Sequence, residues 1–200
     1  EAVATGLRAG TWFLDLNSVS PNTKRQAATV IDDRGGRYVE AAVMGPIAPK
    51  GLNTSILLAG SHAKAFMPVA QGLGFSAMSV TSDQPGQAAA TKMCRSVIVK
   101  GMEALVAEAM LAARFYGVED EVLRSLNNLL PHPDWRSHAQ YMISRSLEHG
   151  QRRAEEMREV SKTLSDAGVT PWMSAACVER QQWAAGEREL VVLLDAMRAT

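Results

Sequence analysis

One long helical segment constrains this chain more than any other part of its sequence. After Gly86 come several alanines and Lys92, and the stretch Val97–Ala113 is then almost entirely apolar or small. Apolar residues at this density predict a helix that is buried on most of its sides. We expect this helix to run from about Gln87 to Tyr116 and to end near Gly117, because glycine commonly terminates helices.

Lys92 stands out because it lies near the start of an otherwise apolar helix. Lys92 and Ser96 are four residues apart, so a helix places them on the same face. A lysine in this position either extends its ammonium group to solvent or is retained for chemistry. Since desolvation lowers the pKa of a lysine, such a side chain can act as a general base near neutral pH. The spacing alone leaves both interpretations open.

The residues before Gly86 alternate between strand-like and helix-like segments. Predicted strands are Trp12–Leu16, Tyr38–Val43, Ser55–Ala59 and Phe75–Thr81, and predicted helices are Thr23–Asp33 and Ser61–Leu73. Ser20 is predicted to cap the first helix, with Pro21 as its first residue. Strands that alternate with helices predict an α/β sheet that is at least partly parallel.

Only helices are predicted after Gly86. They are the long helix already described, Asp120–Leu130, Trp135–Ser165, Pro171–Ala185 and Glu187–Ala199. The predicted fold class is therefore α/β followed by all-α. We place the two domains at residues 1–84 and 85–200.

Charge and motif content exclude several classes of function. Lys plus Arg and Asp plus Glu both number 21, so no net field favours nucleic acid as a partner. The apolar run Val97–Ala113 is too short and too often charged to cross a bilayer, and no signal peptide opens the chain, so we expect a cytoplasmic protein without a membrane partner. The spacing of His132 and His138 suits no metal site, so no metal is expected. Cys94 and Cys177 are predicted to be buried, reduced thiols.

A nucleotide-binding α/β domain usually carries a G-x-G-x-x-G motif after its first strand. Here Gly72-Leu-Gly74 is an isolated and weak match. Glu1 to Gly10 looks like the end of a helix, so we expect a further segment of about two βαβ units upstream.

Four segments carry a resemblance to a known family. They are Asp15-Leu-Asn-Ser-Val-Ser-Pro21, the turn Met44-Gly45-Pro46, Gly86–Ser96 and His149–Arg158. Together they resemble the β-hydroxyacid dehydrogenase superfamily, which includes 3-hydroxyisobutyrate and 6-phosphogluconate dehydrogenases. The chain is most similar to a branch of NAD-binding proteins that are like phosphogluconate dehydrogenase. The resemblance implies that residues 1–84 are the C-terminal part of a Rossmann-type NAD(P)-binding domain and that 85–200 form a helical substrate and dimerisation domain.

The first two segments resemble loops that line the cofactor and the substrate in this family. Asp15–Pro21 is similar to the motif D-x-S-T-x-x-P, which implies that Asn17 contacts the cofactor and Ser18 the substrate. The turn resembles a Ser-Gly-Gly turn that binds a substrate carboxylate through backbone amides. Gly45 matches its first glycine, whereas Pro46 replaces the second and has no N–H to donate.

The other two segments imply the residues that perform catalysis. Gly86–Ser96 resembles the motif G-x-G-x-x-x-K-x-x-x-N, in which Lys92 falls on the catalytic lysine and Ser96 on an asparagine that positions substrate. His149–Arg158 occupies the region of a lysine near the nicotinamide, so Arg153 is assigned to cofactor binding, with Arg152 as the alternative. A solvated charged face with an Arg152–Glu156 pair would explain the same residues.

The resemblance implies a homodimeric oxidoreductase that uses NAD or NADP. Its substrate would be a small hydroxy acid, or the corresponding carbonyl compound in the reverse direction. The binding fingerprint for the dinucleotide would lie upstream of this chain. Two alternatives remain: an enzyme that reduces imines, which the lysine disfavours, and a non-catalytic dimerisation or interaction module, which the departures at Met44, Pro46 and Ser96 keep open.

Overall fold

A computed structural model of the chain describes residues 6–128 and 130–187. The chain divides into two compact units. The first unit comprises Glu1–Arg95 together with Lys162–Val169, and the second comprises Ser96–Ser161 together with Thr170–Thr200. The expected order, an α/β part followed by a helical part, is confirmed.

The first unit contains a four-stranded mixed sheet with the strand order β1-β2-β3-β4. Its elements are β1 (Trp12–Asp15), α1 (Pro21–Asp32), β2 (Arg37–Val43), β3 (Ile56–Ala59), α2 (Ala63–Gly72) and β4 (Met78–Ser82). β1 pairs with β2 and β3 pairs with β4 in parallel, whereas β2 and β3 are antiparallel. Each parallel pair is connected through a helix, as a crossover requires, but the β2–β3 connection contains only a short 3-10 turn.

The core of this unit lies between the sheet and its helices. Val39 and Leu58, on neighbouring strands, are completely buried and pack in one cluster with Phe66 of α2. The start of α1 follows the predicted chemistry, because Ser20 caps it by accepting a hydrogen bond from the backbone N–H of Thr23, and Pro21 is its first residue. This cap fixes the end of the β1–α1 loop that adjoins α1.

The second unit is helical in the residues that the structure describes. It contains α3 (Gln87–Tyr116, which begins in the first unit), α4 (Glu119–Leu126), α5 (Trp135–Asp166, which ends in the first unit) and α6 (Trp172–Gly186). Met110, Leu123, Trp135 and Met142 belong to one buried cluster that joins α3, α4 and α5. The predicted bounds of α3 are confirmed. The α4 helix ends at Leu126, four residues before the predicted Leu130.

The predicted burial of α3 on most of its sides is wrong. Ile98 is 66% exposed and Leu105 is 57% exposed, whereas Lys100 and Glu103 are buried. These two charged residues are buried because each forms an ion pair with another charged group of the second unit. The hydrophobicity of a single segment does not reveal such pairs.

The expectation of two buried cysteines is correct for Cys177 and wrong for Cys94, which is exposed. Cys94 is four residues before Ile98 and shares its exposed face. The predicted helix Glu187–Ala199 falls almost entirely outside the described residues. Among the helices that the structure describes, none is long and apolar enough to span a membrane.

Candidate active site

The structure brings Lys92 and Ser18 together in the first unit. Nζ of Lys92 donates a hydrogen bond of 2.6 Å to Oγ of Ser18, and both side chains are partly buried. Ser18 lies in the loop that follows β1, and Lys92 lies in the second turn of α3. Ligands of α/β proteins bind beyond the carboxyl ends of the strands, which is the position of this loop.

The loop that holds Ser18 is organised by the carboxylate of Asp15, the last residue of β1. The backbone N–H and the side-chain amide of Asn17 donate to Oδ1 of Asp15 at 3.0 and 2.8 Å. The hydroxyl of Tyr38, on β2, donates to Oδ2 at 2.8 Å. Asn17 is itself exposed, so its side chain braces the loop from the solvent side.

Lys24 supplies the positive charge that this carboxylate needs. Its Nζ lies 3.0 Å from Oδ2 of Asp15 and donates a 2.9 Å hydrogen bond to the Asp15 carbonyl oxygen. The Lys24 side chain is only 1% exposed. Burial by itself would raise the pKa of Asp15, but the Lys24 charge and the hydrogen bonds from Tyr38 and Asn17 outweigh burial and lower it. The pKa of Lys24 is lowered because burial outweighs the attraction of Asp15.

A second buried carboxylate lies beside the first. Glu40 on β2 is the register partner of Asp15 on β1 and is completely buried. It accepts hydrogen bonds from the backbone N–H groups of Gly86 and Ala89, at the beginning of α3. Burial raises its pKa, although these two hydrogen bonds and the charge of Lys24 oppose the increase.

The turn after β2 contains Gly45 and Pro46, the two residues assigned to substrate. Both are exposed, and an added Cβ at Gly45 would meet no atom within 4 Å. The preceding carbonyl oxygen, that of Met44, accepts a 3.3 Å hydrogen bond from Nη1 of Arg95. Because Arg95 follows Lys92 by three residues on α3, this hydrogen bond joins the turn to the segment that carries Lys92.

Ser96 and Arg153, the remaining predicted site residues, belong to the second unit. Ser96 is buried and its hydroxyl accepts a 3.4 Å hydrogen bond from Nζ of Lys100. Arg153 is 7% exposed in its side chain and forms an ion pair with Glu103 on α3. Arg152, the alternative, pairs with Glu156 one turn later on its own helix.

Sequence reasoning missed Lys24 and Glu40, although each leaves a signal in the sequence. Glu40 interrupts an otherwise apolar strand, and a lone acid in a buried strand requires a partner. Lys24 shares a helix face with Ala28 and Ile31, which are both buried. A charged residue at a core position of an amphipathic helix is the corresponding signal.

After β1, the Lys92 amine meets the Ser18 hydroxyl, and the side-chain amide of Asn17 in the same loop is bound by Asp15. Within residues 6–128 and 130–187, no glycine-rich loop joins a strand to a helix, and Gly72 and Gly74 lie at the end of α2. In this same part of the chain, no three His, Cys, Asp or Glu side chains are grouped as a metal site.

Comparisons with known proteins identify relatives of both units. A family model, a domain of unknown function named DUF1932, matches residues 113–184. A conserved hypothetical protein of Sinorhizobium meliloti is 39% identical with a TM-score of 0.78, over 90% of this chain and 62% of that one. The protein MTH1747, which has structural similarity to 3-hydroxyacid dehydrogenases, is 34% identical with a TM-score of 0.71, over 86% of this chain and 66% of that one.

A curated relative from Methanothermus fervidus, an uncharacterised 28.5 kDa protein, is 27% identical over 80% of this chain and 61% of its own length. The chain therefore spans between 61 and 66% of these relatives. At 14 to 16% identity, solved structures with the same fold include 3-hydroxyisobutyrate dehydrogenases and a protein in complex with NADP+. At that identity the likeness shows the fold alone.

Proposed function

We propose that this chain is part of an NAD(P)-dependent oxidoreductase of the β-hydroxyacid dehydrogenase superfamily that acts on the CH–OH group of a small hydroxy acid. The observation that carries the proposal is the hydrogen bond between Lys92 and Ser18 at the carboxyl end of β1. It joins a titratable amine to a hydroxyl beside the loop position where α/β proteins bind ligands.

Lys92 acts as the general acid and base. In oxidation, its neutral amine accepts the proton of the substrate hydroxyl as the C–O bond becomes a carbonyl. A bound nicotinamide dinucleotide supplies the acceptor for the hydride that leaves the same carbon. In reduction, the Lys92 ammonium returns a proton to the carbonyl oxygen. Ser18 holds Nζ of Lys92 in place until substrate arrives and then donates to the substrate.

The other assigned residues bind substrate and cofactor. Ser96 orients the substrate, and Gly45 and Pro46 line its binding site, where the open space beside Gly45 allows close approach. Asn17 contacts the cofactor from the exposed side of the loop. Arg153 is assigned to the cofactor by the family resemblance, and it forms an ion pair with Glu103. These roles rest on the family resemblance, and each is testable by substitution.

The first test uses the full-length protein and compares Lys92→Ala with Lys64→Ala. NAD(P)H absorbance is followed across 3-hydroxy acids and their carbonyl partners with NAD and with NADP. We expect Lys92→Ala to lower kcat at least ~100-fold, as expected for loss of a general acid–base, while dinucleotide affinity stays nearly unchanged. Lys64 is exposed on α2, so Lys64→Ala controls for the loss of a lysine charge.

The three outcomes that follow would each contradict part of the proposal. Unchanged turnover in Lys92→Ala would remove Lys92 from catalysis. Activity on cyclic imines, with none on hydroxy acids, would favour imine reduction. Failure to bind either dinucleotide would favour a non-catalytic interaction module.

A further inference from the structure

Glu40 is a completely buried acid within an otherwise apolar strand. Its neighbours on β2 are Val39 and Ala41, both fully buried. Placing a carboxylate there costs free energy unless it is hydrogen-bonded or paired. A structural partner or a function is therefore required to explain why this position holds a carboxylate.

The partner of Glu40 is the first turn of α3. Oε2 accepts from the backbone N–H of Gly86, and Oε1 accepts from the backbone N–H of Ala89 at 2.6 Å. Gly86 immediately precedes α3, and Ala89 is the third residue of that helix. A capping box within one segment satisfies the same two N–H groups with side chains from the helix itself. Here one carboxylate from a different strand satisfies both.

Gly86 has no side chain with which to cap the helix, and the packing disfavours a residue with a side chain at this position. Its φ angle is +95°, and an added Cβ would lie 2.9 Å from Nη1 of Arg25 and 3.0 Å from the Pro21 carbonyl oxygen. Serine or aspartate, which usually cap helices, would be strained there. The position of α3 thus depends on a carboxylate delivered from elsewhere in the fold.

The charge balance around Glu40 suits this role. The carboxylate lies at the positive end of the α3 dipole, and the nearby charge of Lys24 also favours its ionised form. Asp15 opposes ionisation of Glu40, but Asp15 is bound directly by Lys24. One buried lysine therefore compensates two neighbouring carboxylates.

The cap is one turn away from Lys92. Lys92 follows Ala89 by three residues, a rise of roughly 4.5 Å along the helix. If the helix lost this anchor and its register shifted by one residue, each side chain would rotate by about 100° about the axis. Such a rotation would separate Nζ of Lys92 from Oγ of Ser18, which are 2.6 Å apart.

We propose that Glu40 is the positioning residue of Lys92. Its carboxylate determines where α3 begins, and in this way it holds Lys92 against Ser18. The catalytic consequence rests on the proposed function of Lys92, whereas the structural consequence does not.

The test uses the full-length protein with Glu40→Gln and, as a control, Asp33→Asn, which neutralises an exposed acid of the same unit. Glutamine has nearly the same shape, but it accepts at one oxygen and turns an NH₂ group toward the second N–H. Three quantities are measured: amide hydrogen exchange at 86–90, the NMR titration of Cε-labelled Lys92, and kcat with KM. Glu40→Asp, which keeps the charge but shortens the reach, receives the same measurements in case Glu40→Gln does not fold.

We expect Glu40→Gln to accelerate exchange of the Gly86 and Ala89 amides at least ~10-fold and to shift the Lys92 titration. We also expect kcat to fall about 10-fold, because small displacements of a catalytic group are costly, with KM for the dinucleotide within about twofold. The Asp33→Asn control should change none of these quantities.

Two results would overturn the proposal, and both are distinguishable from failure of the proposed function. Unchanged exchange at 86–90 would show that Glu40 does not determine the start of α3. Accelerated exchange with an unchanged Lys92 titration would show that the cap does not position the lysine. Both readouts apply even if the full-length protein has no dehydrogenase activity.

Discussion

Lys24 and Asp15 form an ion pair that is almost completely removed from solvent. Their side chains are 1% and 5% exposed, and Tyr38 and Asn17 complete the hydrogen bonds of the carboxylate. Burial raises the pKa of Tyr38, and the hydrogen bond that its hydroxyl donates to Asp15 raises this pKa further. Tyr38 therefore remains a hydrogen-bond donor. A buried pair of this kind adds little net stability, but the loss of one partner is costly.

We predict that Lys24→Met lowers the free energy of unfolding by about 3 to 5 kcal/mol, because it leaves the Asp15 carboxylate buried without its cation. Lys64→Met, on the exposed side of α2, is the matched control and should change stability by no more than about 0.5 kcal/mol. Urea denaturation followed by circular dichroism measures both. Equal effects of the two substitutions would show that loss of the Lys24–Asp15 ion pair does not lower the free energy of unfolding.

At the scale of secondary-structure elements, the stretch of α3 from Ile98 to Leu105 reverses the usual distribution of residues in the second unit. Ile98, Met102 and Leu105 lie on an exposed face, while Lys100 and Glu103 point into the unit. Lys100 pairs with Glu156, and Glu103 pairs with Arg153, both on α5. The contact between α3 and α5 is therefore ionic at its centre.

We predict that Glu103→Gln destabilises the protein by about 3 kcal/mol or more, because the Arg153 guanidinium then remains buried without its counter-charge. Glu108→Gln is the control on the same helix. It breaks the pair with Arg180, but Glu108 is 65% exposed, so the loss should be below about 1 kcal/mol. Thermal and urea unfolding compare the two variants, and a double variant with Leu at 103 and Met at 153 should recover most of the lost stability.

At the scale of the whole molecule, the exposed apolar face of α3 is a candidate surface for the assembly of two copies. Ile98, Val99, Met102 and Leu105 form an apolar face that a monomer would leave in water. The family resemblance implies a homodimer built through the helical domain. We propose that this face lies in the dimer interface.

We predict that Leu105→Lys converts a dimer into a monomer or weakens the dimer at least ~10-fold, since a charge would enter an apolar contact. Leu73→Lys alters a side chain of similar exposure in the first unit and should leave the mass unchanged. Light scattering coupled to size-exclusion chromatography over a range of concentrations measures the mass. A monomeric parent protein, or a Leu105→Lys variant with unchanged mass, would contradict the proposal.

The sequence by itself determined the order of the elements, the bounds of α3 and the Ser20–Pro21 start of α1. Each depends on local rules, such as helical periodicity, capping and the effect of glycine on a helix end. The resemblance of Gly86–Ser96 to a family motif is also read along a single segment. Predictions from local patterns of this kind do not require knowledge of what packs against the segment.

Only the tertiary structure decided which sides of α3 are covered, that β2 and β3 are antiparallel, and that Lys24 and Glu40 are buried. It alone brought Ser18 to Lys92, which lies far along the chain. The physical reason is that burial and pairing of a charge depend on groups supplied by other segments. Glu40 stabilises the start of α3 from a neighbouring strand, and no pattern within either segment contains that contact.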